Sequence, residues 1–162
     1  MRNNQWLKNR FDYIWSTYFA DIEKINPIEI NFGKKARTRL GSIKSFHNHP
    51  NMKNRLDLPS IITITGFFQD EAIPVEVVDA TIAHEICHYA QGFSSAHDCK
   101  YDHPHRGNIV DHEMAKRGLG DELIYSHRWL KKEWPSYLKT NSTPRVTKRR
   151  KSKRTLLSWL IS

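Results

Sequence analysis

Two histidines and a glutamate lie close together in one short segment of the sequence. In ATIAHEICHYAQG (Ala80–Gly92), Glu85 follows His84 directly and His88 comes four residues after His84. Residues four apart share one face of a helix, so the imidazoles of His84 and His88 can hold one zinc ion between them. Glu85 then lies near the open side of the metal, where it can take a proton from zinc-bound water. The pattern predicts a catalytic site with one Zn²⁺ ion.

The segment needs a helix, and its flanking residues predict one. Pro74 suits the first turn of a helix, and Gly92 suits the position just after its end. Between them apolar residues recur at helical spacing, which is typical of an amphipathic helix. The repeating apolar positions are Val75, Val78, Ile82 and Ile86. This setting favours a zinc site over a chance arrangement among nine histidines.

A catalytic zinc ion usually has three protein ligands and a water molecule, so a third ligand has to come from elsewhere in the chain. His103 and His105 lie at the predicted start of the next helix, and Glu113 lies further along it. A helix start packed beside the first helix can direct one imidazole at the metal. We favour His105 and keep His103 and Glu113 as alternatives.

Other polar side chains near the motif have weaker support as site residues. Cys87 lies one position before His88 and points to another side of the helix, which predicts a buried, apolar role. His127 or Tyr125 could donate a hydrogen bond to an oxyanion, but nothing in their spacing requires it. A surface or core role is the expectation for both.

The elements around the motif predict an α+β domain. An aromatic helix is expected over 4–21, followed by strands at PIEINF, ARTRLGSIKSF and SIITITGFF. We predict a small antiparallel or mixed three-stranded sheet packed on the N-terminal and HExxH helices. Gly41 within the second strand predicts a bulge or a close approach of another group. The third strand, around 62–65, is expected to pair with an extended substrate.

The rest of the chain predicts two helices and a basic tail. Helices are expected from Pro104 to Gly118 and over DELIYSHRWLKKEW, the latter ended by Pro135. The expected division is a domain at 1–138 and a flexible tail at 139–162. The tail contains KRRKSKR, which can bind nucleic acid in a salt-sensitive manner or simply be solvated. The apolar end TLLSWLIS can dock on a partner, on the domain itself or on an anionic membrane, and the sequence does not separate these.

Composition limits the classes of protein that the chain can belong to. Its net charge is +9, which favours anionic partners such as nucleic acid. Two cysteines cannot form a disulfide framework, and the N-terminus lacks the apolar stretch of a secretory signal. No apolar stretch is long enough to span a bilayer. We therefore expect a cytoplasmic protein with no transmembrane segment.

The order of these segments resembles the SprT-like zinc metallopeptidases, which include Spartan-type proteases that act on proteins bound to DNA. The resemblance covers Trp6–Leu119 and rests on INPIEINF, RLGSIK, SIITIT, VVDATIAHEICHYAQG and HRGNIVDHEMAKRGLG. It implies a zincin-like fold, with His84 and His88 as zinc ligands and Glu85 as catalytic base. The third ligand implied is His105, because HRGNIV resembles the family's His-Gly segment. Here Arg106 separates that histidine from glycine, and His103 stays an alternative.

The expected function is therefore a zinc-dependent endopeptidase acting on proteins or peptides, including those associated with nucleic acid. The alternative is a nucleic-acid-binding module or an adaptor with a structural zinc ion. A structural zinc predicts a closed four-ligand site that adds His97 or Cys99. Glu85 argues against this alternative, because a structural site needs no carboxylate at that position.

Overall fold

A computed structural model of the protein describes residues 1–45, 55–103 and 106–141. These residues form five α-helices and one three-stranded sheet, so the α+β prediction is confirmed. In chain order the elements are α1 (Asn4–Tyr18), β1 (Ile28–Phe32), β2 (Gly41–Ser45), β3 (Ser60–Ile64), α2 (Val75–Ala90), α3 (Ile109–Lys116), α4 (Gly120–Lys132) and α5 (Trp134–Asn141). Short 3₁₀ turns precede β3, follow it and precede α3.

The sheet is mixed, with β3 in the centre and β2 at an edge. β3 runs parallel to β1, with Ile28 opposite Ser60, and antiparallel to β2, with Gly41 opposite Ile64. The prediction that 62–65 pairs with a substrate is therefore wrong, because both edges of β3 are already paired. Along β3, the buried residues Ser60, Ile62 and Ile64 alternate with the half-buried residues Ile61 and Thr63, so one face of this central strand lies in the core and the other is partly covered. β1 and β2 are the two edge strands.

Helix α1 packs an apolar stripe into the core. Leu7, Phe11, Ile14 and Trp15 are all buried. The side chain of Asn3 accepts a hydrogen bond from the backbone N–H of Trp6 and caps the helix start. The helix ends three residues earlier than the sequence predicted.

Helix α2 carries the HExxH motif and lies at the centre of the fold. It contacts α1, α3, α4, β2 and β3, and most of its residues are buried. Val78, Ile82 and Ile86 pack into the core as the sequence predicted, whereas Val75 is half-buried and lies outside the core. Cys87 is fully buried beside them, and burial raises the pKa of its thiol to about 12. The motif is therefore held by a helix that is fixed on several sides.

The C-terminal helices differ from the prediction at Pro135. Helix α4 ends at Lys132, and Pro135 lies in the first turn of α5 instead of ending a helix. A proline fits there because the first N–H groups of a helix have no partner within the helix. α5 continues to Asn141, so the first three residues of the expected tail are helical, and 142–162 lie outside the described residues.

The helix predicted over 104–118 begins later, at Ile109. Asn108 before it has a left-handed backbone with φ 55°, and Gly118 after it has φ 88°. No helix in the described ranges is long and apolar enough to cross a membrane.

Candidate active site

A cleft of about 650 Å³ opens beside the HExxH segment. Among the described residues, three segments line it: β2 with the residues just before it, α2 with two residues that follow it, and α4. His84, Glu85 and His88 all contribute to the lining. The three residues that the sequence predicted to act together therefore share one cavity.

The imidazoles of His84 and His88 point at each other across one turn of α2. Their Nε2 atoms are 3.1 Å apart, and their ring planes are inclined by 83°. In a tetrahedral zinc site with bonds of 2.0–2.1 Å, two ligand nitrogens are about 3.3 Å apart. The histidine pair therefore fits zinc as two of its ligands with a shift of a few tenths of an ångström.

The carboxyl group of Glu85 is buried against the edge of the sheet. Only 5% of the Glu85 surface is exposed, and burial raises the pKa of its carboxyl group to about 7. The backbone N–H of Ile43 donates a hydrogen bond to Glu85, which lowers the pKa and opposes the effect of burial. One wall of the cleft thus holds the carboxyl group in place from the sheet.

The backbone of β2 explains how the sheet reaches Glu85. The carbonyl of Leu40 accepts a hydrogen bond from Thr65 N at 2.8 Å. Because backbone groups along an antiparallel strand point alternately toward and away from the paired neighbour, those of Gly41 and Ile43 point away from β3. They lie at the β2 edge of the sheet, where the N–H of Ile43 reaches Glu85, and both residues line the cleft.

Gly41 provides the close approach that the sequence predicted at this position. A Cβ atom added there would lie 2.5 Å from Glu85 Oε1 and 2.9 Å from Thr81 Cγ2. Both distances are shorter than a Cβ atom can approach another non-bonded heavy atom. Only glycine, which has no Cβ atom, therefore lets the carboxyl group of Glu85 lie against the strand.

Replacing Gly41 with alanine is expected to displace the Glu85 carboxyl group and reduce the chemistry that depends on it. A displacement of about 1 Å can lower a catalytic rate about 100-fold. Zinc binding should be retained, because the atoms nearest to the added methyl group belong to Glu85 and Thr81 and not to either histidine. The measurement is the rate of peptide cleavage together with zinc content.

Gly120→Ala is the matched control, since its added Cβ would meet nothing nearer than 4.0 Å. Equal rates for the two variants would contradict this role of Gly41.

The third ligand is not fixed by the described residues. In residues 1–45, 55–103 and 106–141, no group of three His, Cys, Asp or Glu side chains is placed to hold a metal ion. His105 lies outside these residues. His103 is exposed and lines a different pocket, beside Cys99 and Ile109. Glu113 pairs with Arg117 at 2.8 Å.

The extra ligands that a structural zinc site requires have other contacts. A ring nitrogen of His97 lies 3.0 Å from the carbonyl oxygen of Glu23, and the ring packs edge-on against Tyr89. Cys99 is exposed and donates from its thiol to the carbonyl of Tyr101. Neither residue lines the cleft.

Helix α4 forms a side of the cleft that the sequence did not predict. His127 lines the cleft, whereas Tyr125 is 44% exposed and does not. Leu123 and Leu130 line it as well, and with His127 they recur at helical spacing, a pattern already visible in the sequence. That pattern identifies one face of α4, but it does not indicate which other element packs against that face.

Comparison of the chain with models of protein families, with curated proteins and with solved structures found no match in any of the three.

Proposed function

We propose that the chain is a zinc-dependent endopeptidase of SprT-like type. The observation that carries this proposal is the convergence of His84 Nε2 and His88 Nε2 at 3.1 Å beside the buried carboxyl group of Glu85, in one cleft. Two imidazoles and one carboxyl group in this arrangement suit hydrolysis by an activated water molecule.

His84 and His88 supply two zinc ligands, and His105 is the third ligand that we favour, with His103 and Glu113 as alternatives. When bound, zinc polarises a carbonyl group and lowers the pKa of a water molecule toward neutrality. Neutral imidazole and carboxylate groups are the donors that catalytic zinc sites in proteins use.

Glu85 acts as the general base and then as the general acid. It takes a proton from the attacking water and gives that proton to the nitrogen of the leaving amine. The hydrogen bond from the N–H of Ile43 orients the carboxyl group during both transfers. Because Glu85 is buried, few water molecules compete for the proton.

The free edge of β2 is the place for the substrate. An extended polypeptide can add to an exposed sheet edge through backbone hydrogen bonds, while side-chain pockets give selectivity. The backbone of Gly41 and the carbonyl group of Ile43 present such an edge next to Glu85, whereas the N–H of Ile43 is used by Glu85 itself. A substrate lying along β2 therefore brings one of its carbonyl groups past the catalytic residues.

The test of the proposal is cleavage of an unfolded protein by the zinc-loaded chain, with Glu85→Gln beside it. Cleavage by the wild type and none by the variant supports the proposal. An intact substrate after incubation with the zinc-loaded wild type would contradict it.

We also propose that the basic tail holds the enzyme on nucleic acid. Removing 142–162, which leaves α5 whole, is expected to weaken DNA binding strongly and to leave zinc content unchanged, since every proposed ligand lies upstream. Each phosphate contact should contribute about −0.9 to the slope of log affinity against log salt on duplex DNA. A salt titration of both proteins measures this. Equal affinities and slopes would rule out the tail as the tether.

A further inference from the structure

The loop that joins β1 to β2 is strongly cationic and ends at the cleft. It carries Lys34, Lys35, Arg37 and Arg39, all of them exposed, and no acidic residue. Arg39 also lines the cleft, together with Thr38. The positive charge of the loop therefore extends into the cavity that contains Glu85.

Arg39 lies a short and definable distance from the catalytic residues. It precedes Gly41 by two residues, and Gly41 is the residue that contacts Glu85. Two residues of extended chain span about 7 Å. A substrate strand paired with β2 has the same rise per residue as β2. If its cleaved bond lies beside Gly41 and Glu85, the substrate side chain two or three residues away lies beside Arg39.

Apart from Glu85, the described residues that line the cleft include no carboxylate that could offset this charge. Among the described residues that line it, Glu85 is the one acidic residue, and it is buried. No ion pair in the described part of the chain includes Arg39. The opposite side, on α4, presents His127, Ser126 and leucines. A cleft lined by one sign of charge attracts the opposite sign.

We propose that Arg39 selects polypeptide substrates with an acidic side chain two or three residues from the bond that is cleaved. This rests on the proposed peptidase function for the cleavage step, whereas binding of the acidic segment depends on the cleft alone. An exposed ion pair of this kind corresponds to about a fivefold preference at most. A lysine or arginine at the same substrate position is disfavoured.

The test uses short peptides of alanine, serine and leucine in which one position at a time carries Glu, Gln or Lys. Binding is measured by fluorescence anisotropy with the zinc-loaded Glu85→Gln protein, so that no peptide is cleaved, and cleavage is measured with the wild type. At one position we expect the Glu peptide to bind more tightly than the Gln peptide, by up to about fivefold, and the Lys peptide to bind most weakly. Adding Arg39→Glu to the Glu85→Gln protein should reverse the order of the affinities, so that the Lys peptide binds most tightly and the Glu peptide most weakly.

Lys44→Glu in the same Glu85→Gln background is the matched control. It makes the same kind of charge change in β2, but its position is offset by an odd number of residues from Gly41 and Ile43, so it lies on the other face of the strand and does not line the cleft. It should keep the preference for Glu.

The outcomes separate this inference from the proposed function. An Arg39-dependent preference in binding, without cleavage by the wild type, would sustain the inference and reject the peptidase function. A preference that survives Arg39→Glu, or no preference at any position, would overturn the inference. Arg39-dependent binding of a single-stranded oligonucleotide, with no binding of the peptides, would also overturn it and assign the cations to nucleic acid.

Discussion

Replacing Glu85 with glutamine is expected to abolish detectable peptide cleavage while leaving zinc and the fold in place. Removal of a general base lowers a rate by about 100-fold to 10,000-fold. Glutamine has nearly the same shape, and its side-chain oxygen can still accept the hydrogen bond from the N–H of Ile43. The proposed histidine ligands are untouched, so the loss should appear in catalysis and not in metal content.

The measurement is the rate of cleavage of an unfolded protein, together with zinc content and circular dichroism. Glu76→Gln is the matched control, because Glu76 is an exposed residue in the first turn of the same helix and does not line the cleft. Its activity should equal that of the wild type. Undiminished cleavage by Glu85→Gln would remove Glu85 from its role as the base.

Replacing His105 with alanine is expected to remove zinc, whereas replacing His103 is expected to leave it bound. His103 is exposed and lines a pocket that does not include His84 or His88. Loss of an outer contact to a metal ligand weakens binding about 10- to 100-fold, and loss of the ligand itself should exceed that. Competition with a zinc chelator of known affinity measures the difference.

Glu113→Gln serves as a further comparison, because Glu113 pairs with Arg117 and does not line the cleft. We expect it to keep zinc. Zinc retained in His105→Ala but lost in His103→Ala would move the third ligand two residues upstream. Loss of zinc in Glu113→Gln alone would assign the ligand to α3.

Local patterns in the sequence predicted the elements of this fold better than their arrangement. Helical spacing of apolar residues indicated α2, and the alternation in PIEINF indicated β1, because both depend on near neighbours in the chain. The strand order could not be obtained in this way. Pairing of β3 with both β1 and β2 joins distant parts of the chain, and a β-branched run fits a central strand as well as one that binds a substrate.

The same distinction applies to the site. The spacing of His84 and His88 was enough to predict that they face one another, because one helical turn brings them together. Gly41 indicated a close approach but not its partner. Contact of Gly41 with Glu85 depends on the packing of β2 against α2, which no local pattern encodes. The placement of α4 beside the cleft, and of Arg39 at its edge, depends on tertiary packing in the same way.

Positive charge has two proposed roles, binding of nucleic acid by the tail and selection of the substrate segment by Arg39, and each requires a different property of the substrate. The tail would hold the enzyme near nucleic acid, whereas Arg39 would choose the segment that enters the cleft. Lysine- and arginine-rich segments of a nucleic-acid-bound protein would be disfavoured there, and its acidic or neutral segments would be cut. Tethering and choice of bond can therefore be examined separately, by removal of 142–162 and by Arg39→Glu.

The most direct measurement is the zinc content of the purified full-length protein, determined by metal analysis for the wild type beside His84→Ala. His84 and His88 supply two nitrogens at a spacing that suits zinc, and removal of one leaves too few ligands to retain the ion. We predict one zinc ion per wild-type chain and almost none in the folded variant. A wild-type protein without zinc, or a variant that keeps a full complement of it, would contradict the zinc site on which the proposed peptidase function depends.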